Sequence, residues 1–128
     1  MPFVSETEAL NLSLQDLDSI ARDAGEMPWR VALVGTSGMR VTYHGFPPGF
    51  STVPHRHPHA EEFFTVLHGT ALFTGGAEPV FVAGPGELVL ALRGVRHRIR
   101  VADDAAPMIM LAVVAPNEDR ADETIEPA

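Results

Sequence analysis

The sequence predicts an all-β fold of the sandwich or barrel type with one short helix near its start. From Trp29 onward, short apolar or alternating runs, most of strand length, are separated at regular spacing by Gly and Pro. No helical pattern lies between these runs, which disfavours parallel strands joined by helices. A hydrophobic fraction of 45% in 128 residues supplies enough apolar side chains for the core of one domain.

The predicted helix covers residues 12–24. Its apolar residues share one face: Leu14, Leu17, Ile20 and Ala21. Ser13 with Asp16 resembles a weakened capping box, and Gly25 lies where a helix ends. Residues 1–29 are therefore expected to form an extension that packs on the outside of a larger body.

The remaining chain divides into strands, turns and a tail. The predicted strand segments are WRVALVG (29–35), GMRVTYHGFPPG (38–49), EEFFTVLHG (61–69), TALFTGG (70–76), PVFVAGPG (79–86), ELVLALRG (87–94), HRIRVADD (97–104) and PMIMLAVVAP (107–116). Hairpin turns are expected at 74–79 and 101–107. The barrel is expected to span residues 30–115. Residues 116–128 carry five carboxylates and one Arg, which predicts a solvated, flexible tail.

Composition excludes several classes of function. A net charge of −8 disfavours nucleic acid and anionic membrane surfaces as partners, since both require a basic face. The chain has no cysteine, which excludes disulfides and thiolate chemistry, and no lysine, which excludes Schiff-base chemistry. The N-terminus has acids where a signal peptide would be basic, and the longest apolar run, Met108–Ala115, is only strand-sized. We therefore expect a cytoplasmic protein that acts on a small molecule.

A cluster of histidines directly before an apolar strand indicates a metal site. In HRHPHAEEFF, residues 55–64, His55 and His57 point to the same side of an extended chain. Glu62 opens a strand face that continues with Phe64 and Val66, and a carboxylate there is costly unless it is paired or bound.

A further imidazole, His97, opens a strand face shared with Ile99. Three imidazoles and one carboxylate suit Fe, Mn, Ni, Cu, Co or Zn, but they do not suit Ca or Mg. Four protein ligands leave open positions on such a metal, which favours catalysis over a purely structural role. By strand parity, Phe64, Val66 and Ile99 are expected to line the pocket beside it.

The spacing of these residues resembles the two motifs of the cupin superfamily. Gly49, five residues, His55-Arg-His57, four residues, Glu62, six residues and Gly69 fill every fixed position of the first motif. In the second motif Gly86, Gly94 and His97 match, whereas Leu92 replaces a Pro and Val101 replaces an Asn. The change at Leu92 predicts a less rigid turn before His97, and the change at Val101 leaves that residue's supporting role unfilled.

The resemblance implies a double-stranded β-helix, a small jelly-roll barrel with a metal inside and an open mouth. It implies His55, His57, Glu62 and His97 as ligands, with Fe(II) as the expected metal. It does not imply one reaction, because fold does not determine function. The local texture is similar to quercetinase-like cupins, so a dioxygenase acting on an aromatic or enol-type molecule is the first hypothesis. A non-redox lyase, isomerase or polyketide cyclase, and a non-catalytic binding module, are the alternatives.

In the dioxygenase hypothesis, Glu62 doubles as the proton acceptor. Tyr43, the only phenol in the chain, is a second candidate for acid–base work, although packing is its commoner role. Glu61 becomes the ligand only if a three-residue motif spacing applies, and His59 is expected in a loop beside the site. His68 is expected in a solvated turn, and His44 at the mouth or in solvent.

Four of the nine basic residues lie in the segment 93–100, where the favoured interpretation is an outer face that balances the acidic excess. Strand parity directs Arg98 and Arg100 away from the metal, whereas Arg93 and Arg96 remain able to meet a substrate anion.

A homodimer is the expected assembly. Phe63 and Leu67 lie on the face of their strand that points away from the metal, so they need cover. Family resemblance implies that such cover comes from paired sheets and exchanged N-terminal segments.

Overall fold

Two facing sheets and one short helix make up the fold. The computed structural model describes residues 3–5, 12–75, 80–118 and 124–125. Its elements are β1 (Val4–Ser5), α1 (Leu17–Ala24), β2 (Trp29–Gly35), β3 (Arg40–Phe46), β4 (His55–Arg56), β5 (Glu61–His68), β6 (Ala71–Gly75), β7 (Val80–Ala83), β8 (Leu88–Ala91), β9 (His97–Arg100), β10 (Met108–Ala115) and β11 (Thr124–Ile125). The predicted all-β jelly-roll with a short N-terminal helix is confirmed.

The strands form one sheet of six and one of five. The first has the order β1-β2-β3-β10-β5-β8, and the second has the order β11-β4-β9-β6-β7. Every neighbouring pair is antiparallel except β1 and β2, which are parallel. Residues distant in sequence therefore meet across the sheets, so that β10, late in the chain, lies between β3 and β5.

The core lies between the two sheets. It is built from alternate residues of the longer strands, as the two-residue side-chain period requires. In β5 the even-numbered residues from Glu62 to Val66 are buried, while Glu61 and the other odd-numbered residues are more exposed. In β10 Met108 and Met110 are nearly inaccessible. The parity argument made from the sequence for the segment that forms β5 is thus confirmed.

A second apolar cluster covers the outer face of the six-stranded sheet. Trp29, Leu33 and Tyr43 are buried there, and Leu17 and Ile20 of α1 pack against them. The indole of Trp29 and the ring of Tyr43 meet edge-on, with centroids 5.0 Å apart. The helix therefore uses its apolar face to seal one side of the barrel.

The helix is shorter than the sequence pattern predicts. It begins at Leu17, not at residue 12, because Asp16 is the N-cap and accepts a hydrogen bond from the Ser19 N–H. Ser13 therefore plays no capping role. Gly25 ends the helix with a positive φ of 85°, as predicted.

The eight longer strands lie within the predicted segments, whereas the two-residue strands β1, β4 and β11 are too short for periodicity to reveal. Of the predicted turn at 74–79, residues 76–79 lie outside the described residues. The described parts of the predicted tail contact the barrel, because β11 pairs with β4 and Glu118 is buried. The other residues of that tail lie outside the described part of the chain.

No helix among the described residues is long and apolar enough to cross a membrane.

Candidate metal centre

Four side chains converge between the two sheets. His55 lies on β4, His57 follows it, His97 begins β9, and Glu62 lies on β5 of the opposite sheet. One ligand atom from each residue can be chosen so that all four lie within 4.8 Å of one another. The fold therefore brings the predicted ligand residues together. Among the described residues, no other group of three or more His, Asp or Glu side chains is close enough to hold a metal ion.

Strand pairing explains why these residues meet. His55 and His97 are direct partners across the antiparallel β4–β9 pair. The turn before His97 is fixed to the first motif, because the Gly94 N–H donates to the His57 carbonyl at 2.9 Å. Gly94 has a φ of 77°, which an L side chain rarely adopts, so glycine is required at this turn. The sequence predicted a less rigid turn because Leu92 replaces a Pro, but the hydrogen bond from the Gly94 N–H to the His57 carbonyl holds this turn in place.

Glu62 is the buried carboxylate at the centre of the cluster. Its Oε1 lies 2.8 Å from Nε2 of His57 and 3.0 Å from Nε2 of His97. Burial by itself raises the pKa of Glu62, but the nearby imidazoles of His57 and His97 outweigh burial and lower this pKa to about 2. The carboxylate is therefore ionised at neutral pH, as a metal ligand must be.

The other ring nitrogens of the histidines face acceptors. Nδ1–H of His55 donates to the Val53 carbonyl at 2.9 Å, and Nδ1–H of His97 donates to the Val95 carbonyl at 3.0 Å. A carbonyl oxygen can only accept, so these bonds place the proton on Nδ1 and leave Nε2 for a cation. Burial lowers the pKa of His55, with smaller contributions of both signs from its neighbours, and this keeps its imidazole neutral.

The cluster fits a divalent transition metal. A cation about 2.1 Å from each ligand separates its ligand atoms by about 3 to 4.2 Å, within the span given above. Nε2 of His97 is buried and makes no hydrogen bond with any described residue, although it lies 3.0 Å from Oε1 of Glu62. A bond to a metal would satisfy this nitrogen. Three nitrogens and one carboxylate oxygen match the preference of Fe, Mn, Co, Ni, Cu or Zn.

A cavity of about 540 Å³ opens beside the cluster. His55, His57 and Glu62 form part of its wall. The apolar part of the wall comprises Phe46, Phe50, Phe64, Val53, Ile99, Met110 and other residues. A volume of this size accommodates a small organic molecule next to the cation.

Two of the three predicted pocket residues line this cavity. Phe64 and Ile99 contribute to its wall, as predicted. Val66 is fully buried in the core between the sheets and is not part of the wall, so its predicted place in the pocket is not borne out. Val66 shares the inward strand face but lies two residues further from Glu62, where core side chains already fill the space.

The predicted catalytic role of Tyr43 is not supported by its position. Tyr43 points to the outer face of the six-stranded sheet, where it packs against Trp29 and α1. Burial and the charge of Asp18 raise its pKa. Its neighbours Thr42 and His44 point to the opposite face of β3 and line the cavity. Oγ1 of Thr42 lies 2.9 Å from Nε2 of His44.

The other candidates lie outside the cluster. His59 and Glu61 are exposed, and neither belongs to the ligand group, so the four-residue motif spacing holds. His68 is exposed at the end of β5, as predicted. Arg93 and Arg96, for which contact with a substrate anion was left open above, do not line the cavity.

Three polar residues near the site escape the sequence analysis. Arg30 and Arg40 line the cavity. Strand alternation could have placed Arg40 at the cavity, since it lies two residues before Thr42 and so shares its face of β3. Arg30 reaches the cavity because it pairs directly with His44, which only the register of the sheet shows. Glu118 is buried near His57, and no local pattern in its acidic segment distinguishes it.

Comparisons with known proteins agree with this geometry. Residues 42–114 match the family model described as "Cupin domain". A comparison with proteins of curated function found no significant match.

Solved structures show the same fold. An uncharacterized protein with a double-stranded β-helix domain from Klebsiella pneumoniae is 27% identical, with coverage of 94% of this chain and 93% of that one and a TM-score of 0.73. The DMSP lyase DddQ from Ruegeria pomeroyi is 24% identical over 75% of this chain and 50% of its own, with a TM-score of 0.65. KdgF from Halomonas is 17% identical over 73% and 82%, also with a TM-score of 0.65. At such low identity, the last two show a shared fold alone.

We predict that the purified protein binds one divalent transition metal per chain and that His57→Ala removes most of it, because His57 supplies one of four ligand atoms. Elemental analysis after dialysis against trace metal is the measurement. The control is His68→Ala, which removes an exposed imidazole outside the cluster and should leave the metal content unchanged. A His57→Ala protein with full metal content would contradict the assignment.

We also predict that metal-free protein loses stability as the pH falls below about 6.5. Unfolded His55 takes up a proton there while folded His55, with its lowered pKa, does not, so protons favour the unfolded state. A second loss is expected between pH 4.5 and about 2, because folded Glu62 resists protonation. Metal affinity should fall over the upper range too, since the imidazoles must be neutral to bind.

Urea unfolding in the presence of a chelator at several pH values tests this expectation. His55→Gln should flatten the change near pH 6.5, whereas the control His68→Gln should retain it. An unchanged pH profile in His55→Gln would assign the effect to other groups.

Proposed function

Because this chain belongs to the cupin family, we propose that it is a metal-dependent enzyme acting on a small aromatic or enol-type molecule. Iron(II)-dependent dioxygenation is the reaction we put first. One observation carries the proposal: the cluster of His55, His57, Glu62 and His97 borders a cavity large enough for an organic substrate. A metal that prefers five or six ligands keeps positions open for that substrate when four come from the protein.

The wall of the cavity suggests the chemical class of the substrate. Its aromatic and aliphatic side chains, Phe64 and Ile99 among them, favour an apolar body. Arg30, Arg40 and His44 add cationic or hydrogen-bonding groups to the same wall. Such a cavity favours an anionic oxygen, such as an enolate, phenolate or carboxylate, on an otherwise apolar molecule.

Glu62 is the group we propose for proton transfer. A bound Fe(II) supplies Lewis acidity and electrons for reaction with oxygen. Glu62 is ionised and borders the cavity, so it is able to accept a proton from a substrate seated there. A substrate bound to the metal would be more acidic than the free molecule, which would ease transfer of its proton to Glu62.

A non-redox reaction is the second candidate. The DMSP lyase DddQ shares the fold, and its name describes a lyase. A lyase, isomerase or polyketide cyclase would use Zn, Mn or Ni as a Lewis acid in the same ligand set. A non-catalytic binding module would use the cavity alone.

Oxygen uptake distinguishes these possibilities. We predict that protein reconstituted with Fe(II) consumes one O₂ per substrate turned over, measured with an oxygen electrode and a panel of flavonols, catechols and enols. Zinc-loaded protein should consume none. Turnover with zinc under nitrogen would establish the non-redox reaction. Substrates that raise the melting temperature without turnover would favour the binding module.

A variant pair tests Glu62 in the same assay. Glu62→Gln should abolish turnover yet weaken metal binding less than His57→Ala, because an amide oxygen still coordinates but does not accept the proton. If Glu62→Gln turns over substrate at the wild-type rate with metal bound, another group accepts the proton.

We also propose that the protein is a homodimer. The helix α1 covers part of the outer face, including Leu67. Leu88 and Leu90 of β8 and Leu92, which directly follows β8, remain 61%, 56% and 54% exposed. Because β8 is an edge strand of its sheet, the same strand of a second copy can pair with it across a two-fold axis and bury both sets of leucines.

We predict a mass in light scattering of about twice the 13.8 kDa of one chain. Leu90→Lys should lower it to that of the monomer, because a charge would be buried in the interface. Val82→Lys, at a site 58% exposed on β7 of the other sheet, is the matched control and should remain a dimer. A wild-type protein of monomer mass at micromolar concentration would contradict this assembly.

A further inference from the structure

Glu118 is a buried carboxylate beside the metal-ligand cluster. Its residue exposure is 4%, although it belongs to an acidic C-terminal segment. Its backbone carbonyl accepts from Nη1 of Arg40 at 2.7 Å, and its Oε2 accepts from the His59 N–H at 3.0 Å. These two bonds fix the side chain in the barrel wall.

The second carboxylate oxygen of Glu118 is directed at a metal ligand. Oε1 is buried, accepts no hydrogen bond from any described residue, and lies 3.5 Å from Nδ1 of His57. Leaving a carboxylate oxygen buried without a donor is costly. The imidazole of His57 is the donor that its position offers.

The three ligand histidines then share one arrangement. His55 and His97 each donate from Nδ1 to a backbone carbonyl two residues earlier in the chain. His57 has the Glu118 carboxylate at the corresponding nitrogen. In all three, an acceptor at Nδ1 leaves Nε2 directed at the cluster, where Nε2 of His57 lies 2.8 Å from Glu62.

We propose that Glu118 is a positioning residue of the metal centre: its carboxylate accepts the Nδ1–H of His57 and so holds Nε2 toward the cation. This assignment rests on the proposed metal site. A carboxylate acceptor also makes the imidazole a stronger ligand than a carbonyl acceptor does. Val101, at the motif position expected to hold a supporting Asn, is apolar and fully buried and offers no hydrogen bond from its side chain.

Charge supports the same assignment. The ligand set itself contains one carboxylate, Glu62, whose single negative charge leaves a divalent cation only half balanced. Glu118 adds a second carboxylate in contact with a ligand, and it is as inaccessible to water as Glu62. Two carboxylates balance the charge of the cation in a region where water does not screen it.

The chain that follows Glu118 also contacts the ligand strand. Thr124 and Ile125 form β11, which pairs with β4, and Ile125 is the direct partner of His55. The C-terminal segment thus meets the stretch that carries His55 and His57 at two separate points.

Metal affinity of Glu118→Gln tests the proposal. Gln is isosteric but has an NH₂ group in place of one carboxylate oxygen, so either the His59 N–H or the His57 Nδ1–H would face a donor in place of an acceptor. We expect zinc affinity, measured by competition with a chromophoric chelator, to fall by about tenfold or more. The control Glu26→Gln makes the same change at an exposed site that is distant in sequence from Glu118, and it should leave the zinc affinity unchanged. Melting in excess chelator shows separately whether the metal-free variant remains folded.

Histidine ¹⁵N spectra of zinc-loaded wild-type protein supply a second measurement that does not depend on any variant. The proposal predicts that His57 carries its proton on Nδ1, that the metal is on Nε2, and that the proton exchanges slowly with water. In Glu118→Gln this exchange should become faster. A purely structural role for Glu118 would lower melting in chelator without changing zinc affinity or this signal.

Equal zinc affinity in Glu118→Gln and wild type would overturn the assignment while leaving the metal site intact. An unprotonated Nδ1 in zinc-loaded wild type would overturn it even if the variant fails to fold. If wild type itself binds no metal, the proposed metal site and the role of Glu118 fail together.

Discussion

The buried contact between Glu62 and two imidazoles is the interaction on which the rest of the structure depends. Glu62 belongs to the six-stranded sheet, whereas His97 and the strand that leads to His57 belong to the five-stranded sheet. An ionised carboxylate between two apolar sheets is costly without partners, so the partners must come from the opposite sheet. Closure of the two sheets therefore brings the candidate metal ligands together, and a metal bound there would stabilise the closed arrangement.

The two faces of the six-stranded sheet divide the remaining tasks. On β3, Thr42 and His44 border the cavity, while Tyr43 between them packs under α1 with Trp29. The helix removes the apolar surface of the sheet's outer face from water, while the inner face borders the cavity and the candidate metal ligands. The helix thus allows a barrel of this size to keep a cavity of about 540 Å³ next to a buried charge.

Motif spacing and strand parity were sufficient to predict most of the site. The separation of His55, His57 and Glu62 predicts which residues the fold brings together, because a family pattern fixes it, and the alternation in β5 identifies Phe64 as inward. Parity does not give depth, which is why Val66 shares the inward face but lies in the core. Tyr43 was a catalytic candidate because of its phenol group, which says nothing about its location. Its place beneath α1 became clear only from the fold. The start of α1 was missed because apolar periodicity extends beyond the residue that caps the helix.

Glu118 marks the limit of reasoning from local sequence. Its surroundings, PNEDRADETIEPA, have the composition of a solvated tail, and this argument concerns average burial along a segment. The fold places one residue of that segment 61 positions from His57 in sequence yet 3.5 Å from its Nδ1. A long-range contact of this kind follows from the order of strands, in which β11 completes the five-stranded sheet beside β4. An acidic tail and a buried neighbour of His57 are then compatible descriptions of the same segment, because composition describes its average and topology selects the position at which Glu118 is buried.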